Sequence, residues 1–261
     1  LEEEKEMKKP ILPLVNLLAF IVTIVVNGLA NALPINGVTT AEVSDSFPVY
    51  FVPAGYVFAI WGVIYLALLG FTVYQLLPAQ RQSRRLERIG WWFALGCLAN
   101  SGWIFFWHHR IFPVTLILML VLLASLLAIY LRLGIGRTTA SRTEKWLVDV
   151  PFSIYLGWIT VATVANVTDV LYYLGWNGAP LSPQVWAAIM LAIATVLAAA
   201  MSWTRRDVAY VLVIVWALIG IAVKQAATPL VSWAAWLLAA VALLALGLGV
   251  LRRTSSPSAS Q

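Results

Sequence analysis

Residues 113–134 read PVTLILMLVLLASLLAIYLRLG, a run whose single charge, Arg132, stands two residues before the closing glycine. A helix needs about 20 mostly apolar residues to cross the hydrocarbon core of a bilayer, and this stretch supplies them without a break. In lipid, backbone groups must be bonded within their own segment, so the run is a helix rather than an open strand.

Comparable runs flank it on both sides, over 11–33, 54–77, 89–108, 147–174, 185–203, 207–224 and 230–251, separated by short polar breaks. The third, sixth and seventh read as the shortest. The whole chain of 261 residues is 62% hydrophobic and 11% charged, against roughly 25% charged in an ordinary globular domain. So little charge cannot cover a soluble surface. The fold class that follows is all-α: a polytopic helical membrane protein of about eight transmembrane helices.

The net charge of +6 would suggest a nucleic-acid partner in a soluble protein, but here it reads as topology. Lys5, Lys8, Lys9, Arg81, Arg84, Arg85, Arg88, Arg132, Arg137, Arg142, Lys145, Arg205, Arg206, Arg252 and Arg253 fall at one end of the spans, and only Arg110 and Lys224 at the other. That asymmetry predicts both termini in the cytoplasm, the basic loops facing anionic lipid and no nucleic acid bound. Residues 1–10 read as a solvated polar segment, and 252–261 as a low-complexity, disordered tail. Lys8-Lys9, the apolar run and Ala30-Asn31-Ala32 also fit a cleavable signal peptide, which would leave seven spans.

The connection from Pro34 to Pro53 has no Lys or Arg and carries Phe47, Tyr50 and Phe51, as expected of an outer lid or an aromatic cluster in the headgroups. Trp91, Trp92, Trp146, Trp176, Trp186, Trp203, Trp233 and Trp236 lie near span ends, where aromatic belts form. Cys97, alone of its kind and inside a span, excludes an intrachain disulfide and reads as a small buried hydrophobe.

Deeper in the spans, three rows repeat at helical offsets of three and four: Phe58-Trp61-Tyr65, Asn100-Trp103-Trp107 and Tyr155-Trp158-Ala162-Asn166. Trp61, Asn100, Trp103 and Asn166 lie about five to eight residues from the outer span ends, in the outer half of the membrane at about 1.5 Å per residue. Asn100 and Asn166 should point inward and be bonded, because an amide facing hydrocarbon is costly. Aromatic walls with a few amides form a candidate pocket under the outer loop.

Other polar residues read as structural. Asp169 is expected to be solvated at the interface or to pair with Arg110, Asp149 to cap or solvate its helix start, and His108 and His109 to sit at the interface. Lys224 could carry a retinal Schiff base, but the Gln225 and Thr-Pro turn after it favour snorkelling to the outer surface. No phosphate-binding glycine loop, metalloprotease helix or nucleophile elbow is present, so catalysis has no support of its own.

The three rows together resemble the tryptophan-rich sensory protein family, the bacterial relatives of the mitochondrial translocator protein (TspO/MBR). Phe47-Pro48 and Pro53 followed by Phe58, Trp61, Tyr65 and Gly70 resemble its second span. Asn100, Trp103, Phe105 and Phe106 resemble its third, and Tyr155, Trp158, Ala162 and Asn166 its fifth. The outer loop lacks the family's Trp, and Pro151 stands four residues before Tyr155 instead of next to it.

The resemblance covers about residues 11–178. It implies a five-helix, translocator-protein-like core with a roofed ligand pocket, leaving three C-terminal helices over 179–251 unexplained. It implies that Phe58, Trp61, Tyr65, Asn100, Trp103, Phe106, Tyr155, Trp158, Ala162 and Asn166 bind a hydrophobic small molecule, porphyrin or haem among the ligands, with a homodimer as an associated state. The expected function is membrane-embedded binding or sensing, in a bacterial plasma membrane. Transport of such a ligand, or its enzymatic degradation, is the alternative.

Overall fold

The computed structural model describes residues 11–33 and 35–251. The expectations for segments 1–10 and 252–261 lie outside the described residues. Eight long helices occupy the eight expected runs: α1 (Ile11–Ala32), α2 (Ile60–Leu76), α3 (Trp92–His108), α4 (Phe112–Leu133), α5 (Val150–Tyr173), α6 (Pro183–Arg205), α7 (Val208–Lys224) and α8 (Pro229–Leu251).

Six of them, with the turns leading into α2 and α5 included, are long and apolar enough to cross a membrane. The other two, α3 and α7, have 17 residues each. At 1.5 Å per residue they are about 25 Å long, the short end of a spanning helix. The sixth run was expected to be among the shortest, yet α6 has 23 residues. Its extra turns come from local chemistry: the Ser182 side chain accepts from Val185 N–H, Pro183 opens the helix, and Arg206 closes it at φ 53°.

Helices α1 to α5 form a closed ring in which α1 touches α2, α2 touches α5, α5 touches α4, α4 touches α3, and α3 returns to α1. Helices α6, α7 and α8 pack on one another, and the group docks on the ring mainly through α7 against α5. Gly157 permits that approach. A Cβ there would lie 3.0 Å from the Tyr210 carbonyl and 3.1 Å from Val213.

Small residues serve the same purpose between α6 and α8. Ala187, Ala194, Ala198 and Ser202 face Ala235, Ala239, Ala242 and Gly249 as buried stripes, and Ser202 Oγ donates to the Ala245 carbonyl at 2.8 Å. With lipid outside there is no hydrophobic gain in pairing helices, so close packing and hydrogen bonds hold them.

The connection between α1 and α2 folds inward as a roof. Its short helix, Thr40–Asp45, starts with a capping box between Thr39 and Glu42, and the Thr39 N–H holds the exposed Glu42 carboxyl below its usual range. Phe47 and Phe51 are 9% and 1% exposed, so they plug the bundle instead of lying in the headgroups. Phe47 meets Phe112 edge-on at 4.8 Å and stacks on Trp107 at 6.1 Å.

Candidate functional site

The site is built where the five ring helices converge. On α1, residues Asn16, Phe20, Thr23, Asn27 and Ala30 form one buried face. Asn27 donates from that face to Asn100 Oδ1 at 2.7 Å. Asn100, the central residue of α3, donates in turn to Tyr155 Oη on α5 at 3.0 Å. A second chain runs from Trp103 Nε1 to Asn166 Oδ1 at 3.3 Å and from Asn166 Nδ2 to Thr115 Oγ1 on α4 at 3.0 Å. Both amides therefore point inward and are bonded, as their cost in hydrocarbon requires.

The aromatic rows separate into two groups. Trp103 stacks on Trp107 at 4.9 Å, and the roof residue Phe47 closes on that pair. The Trp107 indole donates to the Thr40 carbonyl at 3.2 Å. These rings are packed between the roof and the ends of the helices.

The second group joins α2 to α5. Trp61 stacks on Tyr65 at 5.4 Å and meets Tyr155 and Trp158 edge-on at 5.9 and 6.1 Å, while Phe58 meets Trp158 at 5.8 Å. Phe58, Trp61 and Tyr65 are half-buried. Tyr65 Oη and Trp158 Nε1 are both buried, and neither makes a hydrogen bond of normal geometry among the described residues, although the Asn100 side chain lies beside the Tyr65 hydroxyl. Tyr65 and Trp158, the residues that carry these two groups, both pack on the Trp61 ring.

Of the ten residues expected at the site, Phe58, Trp61, Tyr65, Tyr155 and Trp158 make one continuous aromatic surface, with Asn100 bonded to its edge. Trp103 and Asn166 belong to the network beneath the roof. Half-buried Ala162 only packs against the core, and Phe106 makes its ring contact with Phe105. None of the ten lines either of the two described pockets.

Several polar expectations are corrected. Asp169 is 2% exposed with Oδ1 unpartnered, because the roof and α7 cover the end of α5. Its electrostatic neighbour is Lys224 rather than Arg110, and Lys224 itself reaches outward to pair with Asp45 of the roof helix. His108 is buried rather than interfacial, its Nδ1 against the Ile104 carbonyl at 2.8 Å and its own carbonyl accepting from Asn36 at 3.0 Å. Asp149 stands at the N-cap position of α5, but its side chain makes no cap hydrogen bond and instead pairs with Arg85 at 2.6 Å. Among the described residues no three His, Cys, Asp or Glu side chains come together as metal ligands.

Sequence reasoning passed over Asn27, Thr115 and Asp207. The seven- and four-residue spacing of Asn16, Thr23 and Asn27 marks a polar face on α1 and was the available signal. Asp207 caps α7 by accepting from Tyr210 N–H at 3.1 Å, and it also accepts from Tyr130 Oη at 2.8 Å and Ser153 Oγ at 2.6 Å. That one carboxylate ties α4, α5 and α7 together.

No curated protein and no solved structure matches the chain. A family model described as TSPO-like protein matches residues 13–248, from the first turn of α1 to the last turn of α8. The match therefore runs past residue 178 and takes in the three C-terminal helices as well as the ring. This integral membrane protein belongs to the TSPO-like protein family.

Proposed function

We propose that the protein binds a planar amphipathic ligand, of the porphyrin class, against the Phe58-Trp61-Tyr65-Trp158 surface. The observation that supports this reading is the pair of buried groups, Tyr65 Oη and Trp158 Nε1, that make no hydrogen bond of normal geometry among the described residues and whose rings both pack on Trp61. A ligand with a flat apolar body stacks on or against the rings, and acceptor groups on it, such as carboxylates, take up the two donors. The wider network of Asn27, Asn100 and Tyr155 fixes the edge of the surface.

The ring of α1 to α5 is the ligand-binding unit in this reading, and its basic end faces the cytoplasm of a bacterial plasma membrane. Titration of the purified protein with protoporphyrin IX should give saturable quenching of tryptophan emission. Trp158→Leu should weaken it at least tenfold. Undiminished quenching in that variant, or none in the parent protein, sinks the assignment. Ligand flux in proteoliposomes, or protein-dependent loss of the porphyrin spectrum, would turn binding into transport or degradation.

A further inference from the structure

A second site lies on the other face of α2 and α5. Between them and α7 runs a groove of about 1150 Å³. Its body is apolar, formed by Val63 on α2, Ile154 on α5 and Leu212, Val213 and Trp216 on α7. Its mouth is at the basic end of the bundle, where Arg137, Lys145, Arg205 and Arg206 stand around it.

The charges at the mouth are not neutralised from within. Of the two carboxylates on the groove wall, Asp149 is held by Arg85 and Asp207 by Tyr130, Ser153 and the start of α7. Arg205 is turned inward, donating to the Ile135 carbonyl and lying 5.5 Å over the Tyr130 ring. Arg137, Lys145 and Arg206 remain exposed and pair with no acidic side chain among the described residues.

The depth of the groove identifies what fits. From Val208 at its mouth to Trp216 at its end is about 12 Å along α7, at 1.5 Å per residue. One leaflet of a hydrocarbon core about 30 Å thick is about 15 Å deep. The groove ends where Trp216 Nε1 donates to the Val57 carbonyl at 3.1 Å and α2 begins, so it admits a chain from one leaflet and stops it near mid-membrane. Basic pockets between transmembrane helices suit anionic lipid head groups.

We propose that this groove holds one anionic phospholipid of the leaflet at the basic end. Its phosphate lies among Arg137, Lys145 and Arg206, and one acyl chain lies along Ile154, Leu212 and Trp216. The lipid would fill the seam between the five-helix ring and the three C-terminal helices.

Native mass spectrometry of the protein, released from micelles containing equal phosphatidylglycerol and phosphatidylcholine, tests this. The parent protein should retain one phosphatidylglycerol in preference to phosphatidylcholine. Each surface cation is worth roughly fivefold in anionic-lipid affinity, so Arg137→Gln/Lys145→Gln should weaken retention about 25-fold. Arg81→Gln/Arg88→Gln, which removes the same charge from the same end outside the groove, should change it less than twofold.

Leu212→Trp, which fills the groove and leaves its mouth intact, should remove the bound lipid too, and thermal melts without added lipid will show each variant folded. Equal losses in the two double variants, or lipid retained at parent level in folded Leu212→Trp, would overturn the site.

Discussion

Asn100 Nδ2 lies 3.0 Å from Tyr155 Oη, while its Oδ1 accepts from Asn27 at 2.7 Å, so one side chain at the centre of α3 joins α1 to α5. Interhelical hydrogen bonds in membranes are worth about 0.6 kcal/mol on average and up to about 1.7. A cycle of Asn100→Ala, Tyr155→Phe and the double variant should give a coupling energy in that range, read from unfolding in mixed micelles. Strict additivity would mean that the contact is geometric only.

Tyr65 and Trp158 should behave in the opposite way. Since Tyr65 Oη makes no hydrogen bond of normal geometry among the described residues, Tyr65→Phe should leave stability within about 0.5 kcal/mol of the parent. A hydrogen bond to ligand is worth about 0.5–1.5 kcal/mol net, so porphyrin affinity should fall roughly two- to twelvefold. Loss of stability without loss of affinity would show the hydroxyl to be structural.

Asp207 supports the join between the ring and α7. Asp207→Ala strips the helix cap and leaves Tyr130 and Ser153 without their buried acceptor. The expected cost is about 3 kcal/mol, within the range for a buried charged partner removed from its network. Asp207→Asn keeps an acceptor oxygen and should cost less. Chemical denaturation of the two variants side by side will rank them, and equal stability would refute the role.

The spans were legible because lipid imposes one requirement on every residue within it. Long apolar runs must be helices, and polar groups inside them must turn inward, which is why Asn100 and Asn166 could be oriented from sequence. Their partners could not be named: Asn27 and Thr115 meet them only once the ring order α1-α2-α5-α4-α3 is known. The division of the aromatic rows into two groups depends on where the roof descends, through Phe47 onto Trp107. The burial of Asp169 and the lipid groove have the same origin. Both arise from the docking of α7 on α5, a contact that no periodicity within either helix encodes.

Besides the α7–α5 contact, the C-terminal helices bear on the ring through the roof. Lys224 at the end of α7 pairs with Asp45 of the roof helix. Gln225 donates to the Tyr50 carbonyl at 3.2 Å, and Gln184 at the start of α6 donates to Tyr50 Oη at 2.9 Å. Below them, the Ala54 N–H donates to the Gly220 carbonyl at 3.1 Å, and a Cβ at Gly220 would overlap Val57. Lys224→Met removes a pair half open to water, worth at most about 1 kcal/mol, and should scarcely shift global unfolding. Gly220→Val forces Val57 and Pro53 away from α7, an overpacking that costs about 1–3 kcal/mol. Hydrogen exchange should then rise across residues 40–57 in both variants, more in Gly220→Val, with the amides of α4 unchanged. If exchange in that segment stays at the parent level in Gly220→Val, the C-terminal helices do not hold the roof.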